Sequence, residues 1–266
     1  MSVQDLLDLR GRTALVVGGA GHLGRVAADT LAELGAAICL VDLHPDVLRA
    51  AGDDIVERHR TQVLPIAVDI TDDDALAEVP TTVVDRFGSL DIVIHSAALV
   101  GTSTAAGWAV PFAEQSAAAW RKAVDVNLTS AFVLCQAAAP HLSRSEAGSV
   151  VLVSSIHGVV APDPAMYDGT TMVSPAAYAA SKGGMIQLGR WLASYMSPAV
   201  RVNCVSPGGI ERGQPEVFQA RYSDRTPLGR MGTEDDLRGA FAFLCSDLSR
   251  YVTGQNLIVD GGLTIR

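Results

Sequence analysis

Arg12-Thr13-Ala14-Leu15-Val16-Val17-Gly18-Gly19-Ala20-Gly21-His22-Leu23-Gly24 decides how the rest of this chain is read. Its first half is a short apolar run that ends at a turn, which suits a strand buried on both faces of a parallel sheet. Gly18, Gly21 and Gly24 then stand between that strand and a helical pattern from about Arg25 to Leu34, which stops at Gly35. Glycine permits the tight turn and removes the Cβ that would keep a phosphate from the backbone. The helix start offers free N–H groups and the positive end of the dipole. Strand, glycine turn and helix in this order are what a dinucleotide fingerprint requires. Contacts to a cofactor diphosphate are therefore expected at Gly18, Gly21, His22, Leu23 and Gly24.

The same alternation continues along the chain. Ala37 to Val41 reads as a second strand closed by Asp42, with further strands near Val63 to Val68, Leu90 to His95, Ser149 to Ser154, Val200 to Val205 and Asn256 to Val259. Helical patterns cover about Pro45 to Arg60, Asp72 to Phe87, Ala117 to His141, Pro175 to Met196 and Glu234 to Asp247. There is no composition shift, so one α/β domain over 1–266 is expected. It should be a doubly wound, mainly parallel sheet of about seven strands with helices on both faces. Three long connections, 99–113, 156–173 and 208–232, are expected to be substrate loops, with 157–173 irregular and the last reading as a mobile segment.

Asp42 lies roughly 20 residues beyond the glycines, at the end of the second strand. A carboxylate there accepts both ribose hydroxyls of NAD and repels the extra phosphate of NADP, so NAD is the expected cofactor. The competing reading makes Asp42 a helix cap ahead of Pro45.

Composition limits the partners. The 266 residues are 48% hydrophobic and 18% charged, enough to bury a full core and too apolar for disorder. A net charge of −9 argues against nucleic acid or an anionic membrane surface. Cys39, Cys135, Cys204 and Cys245 are scattered, with no Cys or His pair at metal-ligand spacing, so no metal is expected. They read as core residues of a reducing compartment. The N-terminus lacks the apolar run of a signal peptide, and no apolar run is long enough to span a bilayer. A soluble cytoplasmic protein is expected.

Ser174-Pro175-Ala176-Ala177-Tyr178-Ala179-Ala180-Ser181-Lys182 carries the chemistry. Ser174 as N-cap and Pro175 at the first position predict a helix start. Tyr178 and Lys182, four apart, then share one face, and an ammonium beside a phenol favours the phenolate. Lys122 and Lys182 are the only lysines of the chain, which sets Lys182 apart. The plainer reading is a half-buried aromatic next to a solvated lysine.

With the glycine turn, Asp42 and the Tyr178/Lys182 pair in place, the chain resembles the single-domain branch of the short-chain dehydrogenase/reductase family from about Leu9 to Leu263. Further matches are Asp69, Asn127 in Asp125-Val126-Asn127-Leu128, Ser154-Ser155, Pro207-Gly208 and the terminal Val259-Asp260-Gly261-Gly262. The resemblance implies a Rossmann-type fold and a homotetramer. It implies Tyr178 as general acid/base, Ser155 holding the substrate oxygen, Lys182 on the nicotinamide ribose and Asn127 placing a water in a proton relay. It also implies cofactor contacts at Asp69, Ile70, Ala97, Tyr178, Lys182, Pro207, Gly208 and Ile210.

The chain departs from the family pattern in several places. His22 replaces the central glycine of the usual turn, and His95-Ser96-Ala97-Ala98 stands where Asn-Asn-Ala-Gly is usual. His95 reads as a hydrogen-bonded core histidine. Glu211 and Arg212 stand where a threonine often follows the Pro-Gly turn. Ser155 to Tyr178 is a longer interval than usual, through residues Pro162 to Val173. That insertion holds Tyr167, a rival acid/base with Thr171 rather than a lysine four residues on. Ser154 is a rival to Ser155.

The insertion should lie over the substrate pocket, with Trp108, Tyr167 and Phe218 as substrate contacts and Tyr222 beside them. Asp163, Asp168, Thr170 and Thr171 make that rim polar and point to a polyol, a sugar derivative or a hydroxy acid. The expected function is NAD-dependent interconversion of a secondary alcohol and a ketone. A non-catalytic NAD-binding regulator or scaffold, and an epimerase or dehydratase with retained NAD, stay open. In the tetramer, helices near 117–141 and 175–196 should pack across one interface, with Ala179, Ala180, Gly183, Gly184 and Gly189 allowing close approach.

Overall fold

The computed structural model describes residues 1–101, 103 and 105–266; Thr102 and Thr104, in the expected 99–113 loop, lie outside the described residues. The strands are β1 (Thr13–Val17), β2 (Ala37–Asp42), β3 (Val63–Ala67), β4 (Ile92–His95), β5 (Gly148–Val153), β6 (Val200–Pro207) and β7 (Asn256–Val259). All pairs are parallel, in the order β3-β2-β1-β4-β5-β6-β7. The order reverses between β1 and β4, and in such sheets ligands bind outside the carboxyl ends of the strands at that point.

Side chains alternate between two cores, as the period of a strand requires. Val16, Leu40, Ile94 and Val151 face one side. There they meet α2 (His22–Glu33), α3 (Pro45–His59) and α9 (Arg238–Cys245) through Leu31, Ile55 and Phe241. Leu15, Val41, Val93 and Leu152 face the other side. That face is covered by α4 (Asp73–Phe87), α6 (Ser130–Leu142) and α7 (Ala176–Met196). Every residue of β1 and β5 is buried, which is why both read as continuous apolar runs.

Several elements differ from expectation. A first helix, α1 (Val3–Leu7), is fixed by a capping box between Ser2 and Asp5. The expected helix from Ala117 consists of α5 (Ala117–Val124), a π turn at Asp125–Thr129, and α6. The 208–232 segment contains a helix, α8 (Glu216–Arg225), with Phe218 and Tyr222 buried beneath it. Ser174 does not cap α7. Pro175 is the N-cap, and the Ser174 hydroxyl pairs with His157 Nδ1 at 3.2 Å.

Three of the small residues on α7 pack within the chain itself. A Cβ on Gly184 would lie 2.8 Å from Leu128 Cδ2, and one on Gly189 would lie 2.6 Å from Cys204 Sγ. Gly183 faces the backbone of Gly158.

Candidate active site

β1 runs straight into the glycine turn. Gly18 holds φ +79°, and a Cβ on it would sit 2.6 Å from Ala97 N, while one on Gly24 would sit 2.0 Å from Gly18 O. The turn and α2 pack this closely only because both residues are glycine. Gly21 caps α2 with no side-chain bond, so the first N–H groups of the helix are left for an anion.

Asp42 closes β2 and faces this turn. Its Oδ2 accepts the Ala20 N–H at 3.0 Å and its Oδ1 the Leu43 N–H at 2.8 Å. It does not cap α3, whose N-cap is His44. Asp69 and Ile70 follow β3. Bonds to Asp69 from the Thr71 N–H (3.0 Å) and hydroxyl (2.7 Å) hold its carboxyl below the usual range. Pro207 ends β6, the Gly208 N–H donates to Val259 O at 2.9 Å, and Ile210 is buried. Ala97 backs the turn. The expected cofactor residues thus line the carboxyl ends of β1 to β4 and β6. An uncapped helix start, a turn without Cβ atoms and one carboxylate fit a nicotinamide dinucleotide.

Tyr178 and Lys182 stand a turn apart on α7, and Lys182 is fully buried, not a solvated surface lysine. Its Nζ donates to Val153 O at 2.7 Å and lies 5.8 Å from the Tyr178 ring centroid. Ser155 follows β5; its hydroxyl accepts the His157 N–H at 3.2 Å and stands close enough to the Tyr178 phenol to pull its pKa down. Ser154 instead donates to Lys182 O at 2.7 Å, a structural bond.

The proton energetics correct one expectation. Burial pushes the Tyr178 phenol above its ordinary value, against the downward pull of Ser155 and the Arg212 charge. Lys182 does not bring it low, because burial pushes the lysine itself down to about 8.

Asn127 sits in the π turn, where the Ser130 N–H reaches back to Asp125 O. Its Oδ1 accepts the Leu99 N–H at 2.7 Å and its Nδ2 donates to Ser181 Oγ at 3.0 Å. Asn127 therefore ties the loop after β4 to the tyrosine helix. His95 is a core residue as expected. Its Nε2 lies 2.8 Å from Ser130 Oγ, and that hydroxyl donates to Val126 O at 2.7 Å, which assigns the proton to Nε2. Burial, with the charge of Lys182 second, pushes it down to about 3 and keeps it neutral.

Sequence reasoning missed His157 and Ser174. The His157 ring meets the Tyr178 ring edge-on at 6.2 Å and 89°, the Ser174 hydroxyl lies 3.2 Å from His157 Nδ1, and Ser174 also pulls down on the Tyr167 pKa. Tyr167 thus approaches the site but has no lysine; burial, its main influence, raises its pKa. The signal for His157 was its place two residues after Ser155. Arg212, whose charge reaches Tyr178, is signalled by an arginine just past the Pro207-Gly208 turn.

Next to His157 opens a cavity of about 470 Å³, lined among others by Met166, Tyr167, Phe218, Tyr222 and Leu263. Phe218 stacks between Tyr167 (5.6 Å) and Tyr222 (5.9 Å). Pro162, Asp163, Met166 and Tyr167 of the insertion line it, and the insertion is tied to α8 and to itself. Asp163 pairs with Arg225, Asp168 O accepts from Arg221, and Thr170 Oγ1 donates to Tyr167 O at 2.7 Å. Trp108 is not part of the rim. It is 1% exposed, donates from Nε1 to Val100 O at 2.8 Å and packs on Ala119, Ala123 and Ala177.

A family profile described as enoyl-(acyl carrier protein) reductase matches residues 18–264. A cis-4-hydroxycyclohexanecarboxylate dehydrogenase of Sinomonas cyclohexanicum is 33% identical, over 95% of this chain and 96% of that protein. A cyclohexanol dehydrogenase of Rhodococcus sp. is 35% identical, over 98% of both. Among solved structures, a short-chain type dehydrogenase/reductase from Mycobacterium marinum superposes with TM-score 0.87 at 30% identity over 100% of both chains. An NAD+-bound xylitol dehydrogenase does so with TM-score 0.83 at 26% identity, over 96% of this chain and 99% of that one. An NADPH-dependent 3-quinuclidinone reductase from Rhodotorula rubra gives 0.85 at 25%, over 100% and 96%.

Proposed function

Because the chain belongs to the short-chain dehydrogenase/reductase family, we propose that it is an NAD-dependent dehydrogenase interconverting a compact, largely apolar secondary alcohol and its ketone. The observation that carries the reading is Tyr178 a turn from buried Lys182 on α7, with the Lys182 Nζ 5.8 Å from its ring centroid and Ser155 following β5. When bound, the nicotinamide takes up or supplies the hydride. The chain's own residues handle the proton and the geometry. Tyr178 takes the alcohol proton in oxidation and returns it in reduction. Ser155, held by the His157 N–H, turns its own proton toward the substrate oxygen. Lys182 lends positive charge behind the tyrosine, and Asn127 fixes the loop after β4 against α7.

Asp42 supports NAD over NADP, since its carboxylate stands at the turn where a ribose phosphate would come. The cavity supports the substrate class. Met166, Phe218 and Leu263 supply apolar wall, Tyr167 and Tyr222 add hydroxyls, and two relatives are named for cyclohexane-ring alcohols. Of the polar loop side chains that pointed to a polyol, Asp163 is tied to Arg225 of α8 and Thr170 to the loop itself. We place the protein in a reducing cytoplasm, which suits four free, buried cysteines, and as a homotetramer. Among the described residues no helix is long and apolar enough to cross a membrane.

The test is NADH formation against cyclohexanols, ring hydroxy acids and polyols, with each cofactor in turn. Turnover of ring alcohols with NAD is expected; a preference for polyols would sink the substrate class, and a preference for NADP the cofactor. Tight NAD binding without turnover would favour a regulator, and conversion without net NADH an epimerase or dehydratase.

A further inference from the structure

Arg212 reaches from the loop after β6 toward the start of α2, two places that the sheet order separates by β4 and β5. Its Nε donates to Glu234 Oε1 at 2.7 Å, and the same oxygen lies 3.6 Å from Nδ1 of His22, the first residue of α2. The backbone of Arg212 is pinned too. Its N–H donates to Gln214 Oε1 at 2.7 Å, and Gln214 Nε2 donates to Ile210 O at 2.7 Å. Glu234 opens the turn that precedes α9 and packs against α2. A carboxylate therefore sits between a guanidinium and an imidazole at the mouth of the glycine turn, where uncapped N–H groups favour an anion. The same guanidinium charge is felt at Tyr178, so Arg212 stands near both ends of the crevice.

Glu234 in this position is the protein's own stand-in for a bound anion. We propose that Arg212 is a diphosphate-binding residue of this chain, held on Glu234 in the free protein and released to the dinucleotide when it binds. The proposal rests on a nicotinamide dinucleotide lying along the glycine turn, and is indifferent to NAD or NADP. Glu234 engages Nε, while the Nη atoms form the planar fork that suits phosphate oxygens. Both side chains are about a third exposed or less (33% and 27%), a partly solvated pair that is cheap to exchange.

Calorimetric titration of the full chain with ADP-ribose, which carries the diphosphate, and with adenosine, which does not, isolates this contact. Arg212→Ala is expected to weaken ADP-ribose by roughly 10- to 100-fold, the loss of a charged hydrogen bond or two. Adenosine affinity should not change, and Arg212→Lys should recover part of the loss. Glu234→Gln, which keeps the shape and removes the competing charge, is expected to tighten ADP-ribose by up to about fivefold. Wild-type ADP-ribose affinity in Arg212→Ala overturns the proposal, and so does an equal loss for adenosine, which marks damage to the whole crevice. Unchanged or weaker ADP-ribose binding in Glu234→Gln overturns Glu234 as the competitor. A wild-type chain that binds neither ligand sinks the dinucleotide reading itself.

Discussion

Tyr178 starts above its ordinary value because it is buried, and the groups that pull it down are Ser155 and Arg212. In the proposed role, oxidation needs the deprotonated phenol and reduction the protonated one. The kcat/KM for alcohol oxidation should therefore rise with pH through the alkaline range, while that for ketone reduction falls. Lys182, pushed down to about 8, loses its charge in the same range, so the limb reports the pair rather than either residue alone. A pH–rate profile in both directions checks this; an oxidation rate flat from pH 6 to 9 would contradict it. Asp42→Ala should raise the NADP/NAD ratio of kcat/KM by at least about tenfold, the worth of one charged contact. An unchanged ratio would put cofactor choice elsewhere. At this scale the positions were legible: spacing and family pattern bring out Asp42, Ser155, Tyr178 and Lys182, and the fold places them after β2, after β5 and on α7, while their roles are those proposed above. Trp108 was misread since nothing in a glycine-rich loop says whether an indole turns in or out; it turned in, to Val100 O. The tyrosine's direction of shift was misread because burial is a tertiary property.

α8 and the 156–173 insertion are joined beside the cavity. Asp163–Arg225 and Arg221–Asp168 O make the join, and Tyr167 and Phe218 stack beneath. Arg225→Ala should raise KM with kcat little changed and lower stability by less than about 1 kcal/mol, since the pair is exposed. Steady-state kinetics with thermal melts separate the two; an unchanged KM would remove this pairing from substrate binding. α8 escaped the sequence reading because Glu216 to Arg225 holds only three large apolar residues besides its alanine, Val217, Phe218 and Tyr222, between flanks rich in glycine and proline. The π turn at Asp125–Thr129 was equally hidden. One extra residue in a helix leaves the apolar pattern nearly continuous, and only the turn's bonds reveal it. Gly24→Ala should abolish cofactor binding and cost about 1–3 kcal/mol or more, because the added Cβ would meet Gly18 O at 2.0 Å and backbone cannot swing aside.

The whole molecule is one parallel sheet between two helical layers, and its inner strands were legible because strands buried on both faces, such as β1, β4 and β5, read as plain apolar runs. The ties between the layers' helices were not. Buried Asp29 on α2 binds His59 Nε2 and Arg58 at 2.6 Å from α3 and Arg238 Nη2 at 2.6 Å from α9. Burial raises its pKa, but the bonds from His59 and Arg238 and the charge of Arg58 outweigh that and leave it low. A carboxyl held below its unfolded value stabilises fully above that unfolded value, about 3.9, and the contribution fades below it and is lost as pH falls through the lower folded value. Asp29→Asn should cost about 1–3 kcal/mol at pH 7 and much less at pH 3, read from denaturant melts. Exposed Trp191 and Tyr195 stack on α7 at 5.0 Å, with Trp120 and Phe132 exposed on the helices before it. Sedimentation should give a tetramer that Trp191→Glu splits; an unchanged species would free this face from assembly.

One comparison bears on the whole account: NADH formation from a cyclohexanol-type alcohol by the wild-type chain and by Tyr178→Phe, with NAD affinity measured on both. The account predicts turnover in the wild type and a loss of at least about 100-fold in the variant, with NAD affinity unchanged. Full activity in Tyr178→Phe would contradict it.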